Sequence, residues 1–102
     1  MITAAAAARA TMAVVQLSVL VEVRLRPGIA DPQGATIERS LPTLGFGTVR
    51  DVTVGKAIRC TVEAEDADAA RRQVEELCQR FLTNPVIEDA TITIEPAPAP
   101  VA

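Results

Sequence analysis

From Val15 to Leu25 every second position is aliphatic: Val15, Leu17, Val19, Val21, Val23 and Leu25, with Gln16, Ser18, Glu22 and Arg24 between them. A period of two over such a stretch specifies a long strand with one buried face and one polar face. Leu20 interrupts the polar side, either incidentally or as a point of contact with a partner. The remaining sequence must supply what covers the apolar face.

Pro27-Gly28 ends the strand, and Asp31-Pro32 has the form of an N-cap followed by proline at the first helical position. Ile37, Leu41 and Leu44 then recur at helical spacing. Pro42 cannot donate to the carbonyl of Glu38, so we expect a kink or a tightened last turn that ends at Gly45. Thr48 to Val54 is Val-rich but alternates imperfectly, and is expected to be a second strand with a bulge or two unlike faces. Gly55-Lys56 makes a tight turn into a third strand, where Ile58, Cys60, Val62 and Ala64 alternate with Arg59, Thr61 and Glu63. A second helix starts near Asp66 or Asp68 and carries the stripe Ala70, Val74, Leu77, Cys78 and Phe81, stopping at Asn84-Pro85. Ala90, Ile92 and Ile94 mark the buried side of a last strand. The order β-α-β-β-α-β predicts an α+β, ferredoxin-like two-layer sandwich, an antiparallel sheet with both helices on one face.

The chain of 102 residues fits one domain, expected over residues 13–95. Residues 1–12 read as a disordered or mis-annotated extension, with Met12 as the natural start; residues 96–102 read as a disordered Pro/Ala tail. The alanines near the N-terminus follow no basic region and are a poor fit to a secretory signal, and the apolar run from Ala13 to Leu25 is too short and too interrupted by polar residues to be expected to cross a bilayer. With only two aromatic residues, Phe46 and Phe81, the core is expected to form from aliphatic packing around them. Small aliphatic sheets gain burial by self-association, and a dimer or tetramer is expected.

Chemistry is scarce. There is no histidine, tyrosine or tryptophan. Cys60 and Cys78 lie on expected core faces, which suits small buried hydrophobes in a reducing cytoplasm better than nucleophiles. The run Glu63, Glu65, Asp66, Asp68 lacks the glycine and distal glutamate of a calcium loop; carboxylates at a helix start are favoured by the dipole without any metal. The loop Arg26–Gly34 reaches a helix N-terminus, but Pro32 removes a donor and Asp31 places a negative charge there, so capping outweighs anion binding. Arg71-Arg72 and Glu75-Glu76 read as a solvated helix face with i,i+4 pairs. A net charge of −3 without a basic stripe or stacking aromatics argues against nucleic acid. No cofactor or metal is expected, and no catalytic residue.

Three stretches in register carry a resemblance: Asp31-Pro32-Gln33-Gly34, Val49-Arg50-Asp51-Val52 through Val54-Gly55-Lys56, and Asn84-Pro85-Val86-Ile87-Glu88-Asp89. Together, over about Val14 to Glu95, they resemble the PurS family, the small subunit of phosphoribosylformylglycinamidine synthase. The departures are the N-terminal extension, the Pro/Ala tail and Pro42 within a helix. The resemblance implies a non-catalytic subunit that forms dimers and bridges a glutaminase subunit and an ATP-dependent synthetase subunit. In such complexes the glutaminase frees ammonia from glutamine, and the synthetase activates the formyl oxygen of formylglycinamide ribonucleotide for its attack. Polar and charged residues that the core does not explain are the candidates for partner contact: Asp31, Gln33, Arg50, Lys56 and Arg59, with Arg50 and Lys56 flanking the turn and Arg59 on the outward strand face. Gly34 and Gly55 are expected to serve backbone geometry. Two other functions share this topology. A free-standing amino-acid-binding regulatory module is one alternative. An acylphosphatase-type hydrolase is the other, and it needs an asparagine on the sheet, whereas Asn84 follows the second helix.

Overall fold

The structure is a computed structural model and describes residues 14–97. The expectations for residues 1–12, and for the tail beyond residue 97, lie outside the described residues. The elements are β1 (Val15–Leu25), α1 (Pro32–Ser40), a 3-10 turn (Pro42–Leu44), β2 (Lys56–Ala64), α2 (Ala67–Leu77) closing in a π turn (Cys78–Leu82), and β3 (Glu88–Pro96). The sheet is antiparallel with the order β2-β1-β3, so β1 is central. This is the α+β, ferredoxin-like arrangement.

The period-two pattern holds along the sheet. Leu17, Val19, Val21 and Val23 are buried, and Ile58, Cys60, Val62, Ala90, Ile92 and Ile94 pack beside them. Directly opposite residues share a face, so the register Val21↔Ile58 and Val21↔Ile92 lines up one apolar surface across all three strands. α2 covers it with Ala70, Val74 and Cys78. The side chain of Asp66 caps α2 by accepting from the Ala69 N–H at 2.7 Å, which gives the acidic run its role at the helix start. Pro42 tightens the chain into the 3-10 turn, and Gly45 closes it at φ 92°, where glycine carries no Cβ penalty.

Four details differ from the sequence expectations. First, Thr48 to Val54 is not a strand. Asp51 turns the chain at φ 58°, and the N–H groups of Val52 and Val54 donate to the carboxylates of Glu38 (2.9 Å) and Asp31 (2.8 Å), so no ladder forms on that side. Second, the two helices cover the sheet unequally: no residue of α1 belongs to the core cluster, and Ile37 and Leu44 are exposed. Third, both phenylalanines lie outside the core, Phe46 at 56% and Phe81 at 81% exposure, and Leu77 is also exposed. The cause for Phe81 is the π turn, closed by the Thr83 N–H on the Cys78 carbonyl at 3.0 Å. Its wider winding advances each residue through a smaller angle, so the inward position four residues after Cys78 falls on Leu82. Fourth, Arg71 reaches across to the Ile92 carbonyl (3.3 Å), and the i,i+4 pair that forms is Arg80–Glu76 at 3.0 Å.

Candidate functional site

The three motif stretches meet at one end of the sheet, around the last residues of β1. Asp31 stands at the centre. One of its oxygens accepts the Gly34 N–H (2.9 Å), capping α1, and the other accepts the Val54 N–H (2.8 Å), tying the segment before β2 to the helix start. These two amide donors hold its carboxyl below the usual carboxylate range. Gly34 is required by contact: a Cβ there would run into the Val52 carbonyl oxygen and lie 2.7 Å from Asp31 Oδ2. A Cβ at Gly55 would meet the Val23 carbonyl oxygen in the same way. Both glycines therefore serve close backbone approach, as expected.

The third motif forms a turn that returns the chain to β1. Asn84 takes the N–H of Val86 on its side chain (3.2 Å), and Glu88 Oε1 accepts the Asn84 N–H (2.7 Å). The Arg26 N–H donates to the Ile87 carbonyl (2.8 Å), and its guanidinium pairs with Asp89 at 3.2 Å on the surface. Between the three stretches lies a hollow of about 310 Å³ whose lining includes Asp31, Gln33, Gly55, Lys56 and Glu88.

Of the five candidate residues, the structure gathers Asp31, Gln33 and Lys56 around this hollow. Lys56 is the first residue of β2, opposite Val23, not a residue of the turn itself. Arg59 lies on the opposite sheet face, across from Leu20, in a shallow concavity of about 440 Å³ shared with Ser18, Thr61, Thr93 and Glu95. Arg50 is exposed on the segment between α1 and β2 and lines neither. Sequence reasoning missed Glu38, whose carboxylate clamps Val52; its only signal was an acid on the helix face next to a Val-rich segment. Among the described residues no group of three or more Cys, Asp or Glu is placed to hold a metal ion. Cys78 is buried, which pushes its thiol up from the ordinary value, away from the thiolate needed for attack. The hollow is lined by a cation, carboxylates and an amide, with no nucleophile beside a base among its lining residues.

Comparison with known proteins agrees with the motifs. The sequence model of PurS, described as phosphoribosylformylglycinamidine (FGAM) synthase, matches residues 18–96. The phosphoribosylformylglycinamidine synthase subunit PurS of Methanocaldococcus jannaschii is 40% identical over 73 residues, which is 72% of this chain and 88% of that protein. The Bacillus subtilis subunit PurS is 36% identical over 77 residues, covering 76% of this chain and 90% of that one. Among solved structures, a chain of PurLQS from Thermotoga maritima superposes with a TM-score of 0.73 at 32% identity, covering 78% of this chain and 98% of that chain. With motifs, sequence and fold in agreement over nearly the whole described region, the chain belongs to the PurS family.

Proposed function

We propose that this chain is the small subunit of a phosphoribosylformylglycinamidine synthase in purine biosynthesis, and that it works by holding a glutaminase and an ATP-dependent synthetase subunit together in the cytoplasm. The observation that carries the reading is its likeness, over 98% of the matched chain, to a component of the Thermotoga maritima PurLQS assembly. Its own geometry fits that role, because the motif residues are spent on fixing one end of the sheet and on presenting Gln33 and Lys56 at a hollow. Ammonia released into water is diluted and protonated, so a subunit that fixes donor and acceptor sites relative to each other raises the rate without touching either substrate. The chain associates with itself as well, as a dimer or tetramer, a reading supported by apolar side chains such as Phe46 and Val49 that stay exposed on the segment between α1 and β2.

The test is reconstitution. Glutamine-dependent turnover of the synthetase and glutaminase is measured with and without this chain, together with co-purification of all three. We expect a stable ternary complex and faster glutamine-dependent turnover when the chain is present. Equal turnover without it removes the bridging role.

A further inference from the structure

The third motif does more than turn the chain. Its residues Pro85, Glu88 and Asp89 also wall a second cavity, of about 340 Å³, beside the C-terminal end of α2. Cys78, Ala90 and Ile92 form the apolar floor of this cleft, and Glu75, Gln79 and Thr83 stand on the helix side. Glu88 lines the motif hollow as well, so hollow and cleft are neighbours at one end of the sheet.

The charges around the cleft do not cancel. Arg24 borders it, but its guanidinium donates to the Thr91 hydroxyl at 2.6 Å, on the outward sheet face where Thr91 lies opposite Glu22. Arg26 is taken by Asp89 at 3.2 Å. Glu75 and Glu88 remain, and neither has an ion-pair partner among the described residues. Glu88 Oε1 accepts the Asn84 N–H (2.7 Å), while Oε2 has no partner among the described residues. At the floor the Cys78 side chain is 5% exposed, and its free thiol takes no part in the hydrogen bonds around it, which run from Thr83 to the Cys78 carbonyl.

An acidic mouth above an apolar floor is complementary to an extended organic cation, whose alkyl stem lies on Ala90 and Ile92 while its head meets the carboxylates. A bare metal ion does not suit it, because no three Cys, Asp or Glu groups among the described residues are placed to hold one. The acceptors stand on two walls, Glu75 and Gln79 on the helix and Glu88 on the turn. That spread suits the several donors of a planar guanidinium better than the single point charge of an ammonium.

We propose that this cleft receives an arginine side chain of a large subunit of the complex, its guanidinium pairing with Glu75 and Glu88. The proposal rests on the assembly role given above and names a contact within it. The shared Glu88 makes the cleft continuous with the hollow that presents Gln33 and Lys56.

The experiment titrates the full chain against the synthetase and glutaminase subunits at low and high salt. Glu75→Gln should weaken the complex by roughly tenfold or more and flatten its salt dependence. The Tm of the free chain should not change, because Glu75 has no ion pair of its own to lose. Glu76→Gln, one residue on and outside the cleft, is the control and should alter affinity by less than about twofold. A Glu75→Gln chain that binds like the wild type, or an equal loss for Glu76→Gln, overturns the proposal and leaves the assembly role standing. A wild type that forms no complex removes the assembly role, and the occupant with it. A second readout places the photo-crosslinker p-benzoylphenylalanine at Gln79 of an otherwise wild-type chain. It should capture a large-subunit peptide that contains an arginine, and alanine in place of that arginine should lower affinity non-additively with Glu75→Gln. Capture of a second copy of this chain, or strictly additive losses, refutes the proposal.

Discussion

Gly34→Ala is a substitution whose sign separates helix propensity from packing. In the interior of a helix the change ordinarily stabilises by about 0.5–1 kcal/mol, because alanine loses less backbone entropy on folding. Here the added Cβ meets the Val52 carbonyl oxygen, and Asp31 Oδ2 lies 2.7 Å away. Neither group can withdraw cheaply. Val52 is held by its N–H on Glu38 (2.9 Å), and Asp31 by the N–H groups of Gly34 (2.9 Å) and Val54 (2.8 Å). Forcing a methyl into such a contact costs about 1–3 kcal/mol, so the net effect is a loss of about 1–2 kcal/mol. For a domain of this size that lowers Tm by roughly 5–10 °C. The assay is thermal and urea unfolding of the full chain at one fixed protomer concentration, because association adds to apparent stability. Ala35→Gly, at the next and exposed position of α1, is the control; it should cost about 1 kcal/mol by propensity alone. A Gly34→Ala chain as stable as the wild type, or more so, would refute the close approach of α1 to the Val52 backbone.

Four further outcomes are expected. Val74→Ala, at 1% exposure, should destabilise by about 2 kcal/mol in urea unfolding, whereas Phe81→Ala should stay within about 0.5 kcal/mol; equal losses would contradict the outward turn of Phe81. Asp31 has a folded pKa below its ordinary 3.8, so its stabilising contribution is complete above that value and is lost as pH falls through the lower folded pKa. Asp31→Asn should flatten this acid limb of the stability curve and speed amide exchange at Val54; an unchanged limb counts against the tie. Cys78 should react with a maleimide at pH 8 far more slowly than Cys60, since burial both shields the thiol and raises its pKa; mass spectrometry of partial labelling reads the order. Lys56→Glu should reduce recovery of the ternary complex with far-UV circular dichroism unchanged, and full recovery would remove Lys56 from the contact surface.

The sheet was legible because its information is local. Alternation along Val15–Leu25 and from Ile58 to Ala64 reports which face is buried, whatever the neighbours are. Caps at Asp31 and Asp66, and the tightened turn at Pro42, follow from side chains within three or four residues of the backbone they satisfy. What escaped was settled at a distance. Val49, Val52 and Val54 read as a strand by residue preference, yet the donors of Val52 and Val54 are claimed by carboxylates 14 and 23 residues away. Phe81 read as core because helical spacing was extended through a turn that winds more widely. The candidate residues divide in the same way: Asp31 and Gln33 are neighbours in sequence, but Lys56 lies 23 residues beyond Gln33, and only the gathering of the motifs at the end of β1 brings it beside them.

The unequal finish of the two sheet margins has a consequence for how many chains can line up. On the β3 side the Arg71 guanidinium takes the Ile92 carbonyl and Pro96 has no N–H to donate, whereas Lys56–Ala64 carries no proline, so the β3 margin is the less receptive of the two. Such asymmetry works against the open-ended filaments that two bare margins would invite.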